Sequence, residues 1–260
     1  MLETVIYQKD GPIAWIRLNR PEALNTISWK LSHEVVDVIE EISYDDSIRA
    51  VILTGMGRAF CAGADIKEAT TPGALSLKTL MGDGEVLEVF QKIDDLQKPI
   101  IAAVNGASIG GGTEMAMACD LRIAADNAKF GFGEVKIGTI PGGGGTMRLP
   151  LLVGFGVAKE LIYFGKTIDA AEALRIGLVN KVVPQQSLED EARAWALELA
   201  KQAPLALRAA KACISASREL PFSESIKFEA KQAGMVTKTE DREEGMKAFL
   251  EKRKANFKGC

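Results

Sequence analysis

Short apolar runs along this chain alternate with longer amphipathic ones, and the period of the apolar positions changes with them. Residues 2–9 and 12–18 read as two strands around a turn at Asp10-Gly11-Pro12. Asn19-Arg20-Pro21 ends the second. Over 29–44 the apolar positions recur at helical spacing, with Leu31, Val35, Val38, Ile39 and Ile42 on one face and Ser28 set to cap the first turn. RAVILT (49–54) is a compact β-branched run of the kind found in buried parallel strands; PIIAAVNG (99–106) opens another and LRIAAD (121–126) a third. Between them lie a loop of small residues, GMGRAFCAGAD (55–65), a helical stretch with an irregular start that runs to about Gln97, and Gly110–Gly112 leading into the helical run TEMAMACD. After a glycine-rich segment at 138–145 the pattern is mostly helical from about 154 to 254, interrupted by a short strand, GLVNKVV (177–183). Pro184, Pro204 and Pro221 stand at helix boundaries. The strand–loop–helix alternation of the first 185 residues predicts an α/β fold with parallel pairing, and the helical end reads as a separate layer or arm.

Composition narrows the chemistry. The 260 residues are 47% hydrophobic, enough for a sizeable core. Lys plus Arg is 32 and Asp plus Glu is 35, a net charge of −3 that argues against charge-driven binding to nucleic acid or anionic lipid. The apolar runs are too short for a transmembrane helix, and the opening MLETVIYQKDG does not read as a secretory signal or transit peptide. Cys61, Cys119, Cys213 and Cys260 form no CxxC pair, so reduced thiols in a cytoplasmic protein are expected. The single histidine, His33, is the most restrictive count. With so few imidazole and thiolate ligands no metal site is expected, and chemistry must run on carboxylates, backbone amides or lysines.

Gly106-Ala107-Ser108-Ile109-Gly110 matches a GxSxG nucleophile elbow after a strand. That fold places its histidine after the serine, whereas His33 lies before it, so Ser108 reads as a small packing residue. Gly165-Lys166-Thr167 resembles the end of a phosphate-binding loop, but Glu160 stands where its first glycine belongs. Two other loops carry more. Cys61-Ala62-Gly63-Ala64-Asp65 and Gly110-Gly111-Gly112 both lie beyond the carboxyl ends of buried strands, where open α/β sheets bind ligands. Small residues let a ligand approach backbone N–H groups, and the second loop also opens a helix. Two converging N–H donors would make an oxyanion hole; the pattern alone leaves tight packing as an equal alternative. Glu114, in the first turn of that helix, and Glu134, in a glycine-rich segment able to cross the same cleft, are candidates to divide acid and base roles. A plain dipole-stabilising role for Glu114 remains open on spacing alone.

At these residues the chain resembles the crotonase superfamily and, within it, the enoyl-CoA hydratases. The resemblance covers essentially the whole chain: LNRPEALN (18–25), AVILTGMGRAFCAGADIKE (50–68), KPIIAAVNGASIGGGTEMAMACD (98–120), FGFGEVKIGTIPGGGGTMRLP (130–150), GLVNKVVP (177–184) and TEDREEGMKAFLEKRKANF (239–257), in that order. It implies an α/β spiral of ββα units over 1–200 and a helical trimerisation region over 201–260, often assembled as a dimer of trimers. It implies that the amides of Ala64 and Gly111 hold the thioester oxygen, that Glu114 and Glu134 are the catalytic pair with Glu134 the proton donor, and that Ala62, Ala64, Asp65, Ile66 and Lys67 line the acyl-CoA site. Arg20, Glu22 and Leu24 would border the CoA, and Phe249 and Lys252 would reach the nucleotide bound to a neighbouring subunit. No cofactor is implied, since coenzyme A is part of the substrate. Relatives often carry Pro before the second glutamate; Phe132-Gly133 stands here, which bears on the shape of the acyl pocket. The implied activity is hydration of a 2-enoyl-CoA. The alternatives are a cyclic dienoyl-CoA hydratase, a double-bond isomerase, which the presence of both glutamates disfavours, and an RNA-binding relative, for which the basic KRK (252–254) is too short a stripe.

Overall fold

In the computed structural model, which describes residues 2–70 and 85–260, the chain enters through an antiparallel hairpin, β1 (Val5–Asp10) and β2 (Ile13–Leu18). Gly11, at φ +58°, makes the turn. Helix α1 (Trp29–Tyr44) starts where Ser28 Oγ accepts from Leu31 N (3.1 Å), and all five apolar positions of its predicted face are buried. A cap of this kind contributes about 1 kcal/mol, and each buried Leu, Ile or Val roughly 1.5–3 kcal/mol. Lys98 closes the far end, its Nζ donating to Ile42 O and Asp45 O (2.6 Å each).

The chain then repeats one unit. β3 (Ala50–Gly55) joins a first sheet and β4 (Ala59–Cys61) a second, before α2 (Ile66–Thr70) and α3 (Glu85–Asp95). β5 (Ile100–Val104) and β6 (Ala107–Ile109) do the same before α4 (Gly111–Ala118). β7 (Leu121–Ala125) and β8 (Lys129–Gly131) follow, then a 3-10 turn (Glu134–Ile137) and the helices α5 (Gly145–Val153) and α6 (Phe155–Tyr163). β9 (Thr167–Asp169) adds antiparallel to β8; α7 (Ala170–Arg175) and β10 (Lys181–Val183) return the chain to β7. The result is a spiral with one six-stranded sheet, β1-β2-β3-β5-β7-β10, and one four-stranded sheet, β4-β6-β8-β9. From β2 to β10 every pairing in the larger sheet is parallel.

Both faces of the larger sheet are covered, which explains its continuous apolar runs. Val51, Leu53, Ala102 and Val104 face α1, α3 and α4 in the main core, while Ile52, Ile101, Ala103 and Ile123 face Leu188, Ala192 and Ala196 of α8 (Leu188–Ala200). The remaining helices, α9 (Pro204–Ala216), α10 (Phe222–Val236) and α11 (Glu240–Leu250), bury little: Ala209 in α9, Asp241 and Ala248 in α11, nothing in α10.

Some expected elements differ. The loop expected at 55–65 contains β4, and the helical region contains β9. GLVNKVV is extended only over Lys181–Val183, because Gly177, at φ +81°, turns the chain first. The irregular start of the helix expected before Gln97 falls largely on 71–84, outside the described residues.

Candidate active site

The loops after β4 and β6 meet, and glycine lets them. A Cβ at Gly112 would lie 1.9 Å from Cys61 O, and one at Gly63 would lie 2.9 Å from Ile109 O. At this approach a Cβ on Gly111 would sit 3.7 Å from Ala64 N, so the two amides are neighbours. Gly111 is the first residue of α4, and its N–H has no acceptor in its own helix. Ala64 pairs with Ile27 through its flanking groups, Ile27 N to Gly63 O (2.8 Å) and Asp65 N to Ile27 O (3.0 Å), which turns its own N–H away from that pairing. Two neighbouring N–H groups at the positive end of a helix are a donor set that can stabilise an anionic oxygen.

Glu114 is 3% exposed, one turn into α4, with its N–H on Gly110 O (3.0 Å). Gly145 N donates to its Oε1 (2.7 Å) from the start of α5. Burial raises its pKa to about 7; the Gly145 N–H and the Arg148 cation pull it down, and neighbouring Glu134 pushes it up. Glu134 opens the 3-10 turn after β8, and its carboxyl lies over Gly110: a Cβ there would be 2.6 Å from Oε1. Gly110 has φ +56°, so the position needs glycine twice over. Burial raises the Glu134 pKa as well, and its Oε2 is buried with no hydrogen-bond partner. The Glu134 carboxyl thus lies over the residue that precedes Gly111, and the Glu114 carboxyl, one turn into the same helix, is close enough to feel its charge. Neighbouring buried carboxylates resist ionising together, which favours the state with one protonated and one charged.

The other expected residues fall into two groups. Ala62 N donates to Leu24 O (3.0 Å), and Ile66 and Lys67 are exposed at the start of α2. Asp65 turns its carboxylate to Arg20, Oδ2 to Nη2 at 2.8 Å. Glu22 is exposed, and Leu24 takes φ +53°. Phe249, 81% exposed, and Lys252 lie at the end of α11, which is not among the elements framing the glutamates. Ser108 is buried with Oγ unpartnered, while His33 sits on α1 with Nδ1 2.9 Å from Trp29 O; the two make no nucleophile–base pair. Open space surrounds a Cβ at Gly133, whose φ is −103°.

Sequence reasoning does not find what holds the glutamates. Gly145 reads only as part of a glycine-rich run, yet it is the donor to Glu114. Arg148, three residues on, donates from Nη1 to Gly143 O (2.9 Å) and from Nη2 to Asp94 Oδ2 (2.9 Å), clamping that run against α3. A lone cation inside an apolar helix, GTMRLPLLV, is the signal that could have found it.

The model of the enoyl-CoA hydratase/isomerase family matches residues 8–260. The crotonyl-CoA hydratase of Syntrophomonas wolfei is 43% identical over 256 residues, covering 98% of each chain. The short-chain-enoyl-CoA hydratase of Clostridium acetobutylicum is 44% identical over 256 residues and 97% of each. The crystal structure of an enoyl-CoA hydratase from Bacillus anthracis superposes with a TM-score of 0.94 at 39% identity, over 99% of this chain and 100% of that one.

Proposed function

The chain belongs to the enoyl-CoA hydratase/isomerase family, and we propose on that footing how its residues carry out the reaction. It is an enoyl-CoA hydratase: it adds water reversibly across the 2,3 double bond of a 2-enoyl-CoA thioester to give a 3-hydroxyacyl-CoA. The thioester oxygen sits between the N–H groups of Ala64 and Gly111. Glu114, as carboxylate, takes a proton from water while the water oxygen bonds to the β-carbon. The alkene electrons move toward the thioester, whose oxygen gains the negative charge that the two amides stabilise. Glu134, protonated, then delivers its proton to the α-carbon as the enolate collapses. Glu114 ends protonated and Glu134 ionised, and exchange with solvent restores the pair. Removing one such N–H donor costs about 10²–10³ in turnover.

The observation that carries this reading is the pairing of a buried carboxyl, Glu114, held at Gly145, with a half-buried one, Glu134, lying over Gly110, both with raised pKa values, beside the loop that opens α4 with Gly111. Burial raises both pKa values, that of Glu114 to about 7, where a carboxyl can exchange a proton near neutral pH. Hydration involves no net oxidation or reduction, and the two amide donors stabilise the charge on the thioester oxygen, so the reading calls for no redox cofactor or metal; coenzyme A enters as part of the substrate.

We further propose a homotrimer or a dimer of trimers, in which Phe249 and Lys252 serve a neighbouring subunit's CoA. The exposed apolar side chains of α9–α11, among them Ile214, Phe222 and Ile226, support it. No described helix is long and apolar enough to cross a membrane, and four free thiols fit a cytoplasmic setting. The test of the activity is a panel of crotonyl-CoA, longer enoyl-CoAs and a cyclic dienoyl-CoA, followed by loss of enoyl-thioester absorbance. Hydration of the linear substrates is expected. Turnover of the cyclic dienoyl-CoA alone, or migration of a double bond without water uptake, would refute it.

A further inference from the structure

We infer that the Arg20–Asp65 ion pair is a positioning device that sets the Ala64 N–H, and that Asp65 does not contact substrate. This rests on the reading of Ala64 as a thioester-oxygen donor. The loop after β2 is laid against the 62–68 loop bond by bond. Ala62 N donates to Leu24 O (3.0 Å), Ile27 N to Gly63 O (2.8 Å), Asp65 N to Ile27 O (3.0 Å), and Trp29 N to Glu68 Oε2 (3.0 Å). Ala64 is the rung left over, its N–H on the side of Gly111. Ala64 and Ile66 are exposed, so burial of their own side chains does little to fix them.

Asp65 is the side-chain tie next to Ala64, and its oxygens are spoken for. Oδ2 accepts from Arg20 Nη2 (2.8 Å) and Thr26 Oγ1 (3.3 Å), and Oδ1 accepts from Glu68 N (3.2 Å). Arg20 is itself fixed: Nη1 donates to Thr26 O (2.7 Å), its backbone N donates to Asn25 Oδ1 (2.8 Å), and Asn25 N donates to its O (2.9 Å). Asn25 is fully buried, with Nδ2 on Met56 O (2.9 Å) and Ala59 O (2.8 Å), so Arg20 is anchored to the entry of β4. The pair is mostly shielded, with side chains 20% and 12% exposed. A guanidinium that is already spanning Thr26 and Asp65 is a brace rather than a free phosphate ligand. An oxyanion donor works only at about 2.7–3.1 Å from the developing charge, and a misplacement of about 1 Å can cost roughly 10²-fold in rate. Bracing the residue next to Ala64 therefore acts on turnover.

The test measures Asp65→Asn, Arg20→Met and Arg20→Lys, each first checked for folding by melting temperature and circular dichroism. Turnover of crotonyl-CoA is read with the inhibition constants of a saturated acyl-CoA and of a 3-ketoacyl-CoA, whose enolate carries charge on the thioester oxygen. Asp65→Asn and Arg20→Met should lower kcat about 10–100-fold, with KM and saturated acyl-CoA affinity within about three-fold. Affinity for the enolate should fall in step with kcat, since only charged oxygen needs the exact donor. Arg20→Lys should recover part of the loss, and the pH limbs should not move, because Glu114 and Glu134 are untouched. Unchanged kcat, a rise in KM at constant kcat, or equal losses for both inhibitors would overturn the inference; a rise in KM would mean that the pair touches CoA. If the parent enzyme does not prefer the enolate, the oxyanion reading itself fails and the brace with it. If the parent prefers it and folded variants keep that preference, the brace alone is wrong.

Discussion

At the scale of single residues, the two glutamates and Arg148 make separable predictions. Glu114→Gln and Glu134→Gln should each lower turnover by roughly 10²–10⁴, the scale of one acid–base group. Glu114 also makes a stability prediction. Its folded pKa, about 7, lies above its ordinary value of 4.5, so the native state holds the proton more tightly than the unfolded chain. The stability that this lends is complete below pH 4.5 and is lost as pH rises through 7. Glu114→Gln keeps an acceptor for Gly145 N and removes the titration. Its melting temperature relative to the parent should therefore rise between about pH 5 and pH 8; an offset independent of pH would mean that Glu114 is not buried as a titrating acid. Arg148 is one of the groups that hold the Glu114 pKa down. Arg148→Met removes that cation, so the pKa should move further up. The limb of the kcat/KM profile that requires ionised Glu114 should then shift to higher pH, with the Glu134 limb less affected. A profile that falls in height without moving would assign Arg148 only to clamping Gly143.

At the scale of elements, the start of α4 is the sharpest test. Gly111 occupies the first helical position, where proline is well tolerated because that N–H has no helical acceptor. Gly111→Pro should thus fold and assemble while removing one donor, and turnover should fall by about 10²–10³. Gly111→Ala keeps the N–H and brings its Cβ to 3.0 Å from Ile27 Cδ1, the end of a flexible side chain that can shift by a few tenths of an ångström. It should lose less than the proline variant. Crotonyl-CoA kinetics on folded protein separate the cases, and parental turnover in Gly111→Pro would leave Gly111 a packing residue only.

For the whole molecule, the last three helices set the expectation. Phe222 and Phe249 are more than four-fifths exposed, and no residue of α10 is buried within one chain. A solvated arm has no use for such side chains, and the proposed trimer would cover them. Light scattering should give a mass of three or six protomers, and removing residues from 204 onward should abolish that assembly. An active monomer would end both the trimer and the cross-subunit role of Phe249 and Lys252.

Periodicity and capping are local statements, and they account for the parts of this molecule that can be read without its fold. Helix α1 begins and ends at the residues its pattern predicts, because Ser28 caps it and five apolar positions define its face. Three inner strands of the larger sheet, β3, β5 and β7, are legible for a similar reason: burial on both faces makes them mostly apolar, with Thr54 and Arg122 the buried polar residues among them. Glu114 and Glu134 stand out as carboxylates in apolar and glycine-rich surroundings, and the family resemblance gives them roles. Everything else depends on how the turns of the spiral stack. The second sheet is built of three-residue strands, too short for a period of two to register, and they exist because each is pinned by a neighbour brought round by the spiral. The Gly145 donor to Glu114 and the Arg20–Asp65 brace join residues 31 and 45 positions apart, and the neighbouring amides of Ala64 and Gly111 are as distant in the chain. No local pattern encodes such pairs: they follow from stacking one ββα turn on the next, where glycine at 63, 110 and 112 removes the Cβ atoms that would hold the loops apart.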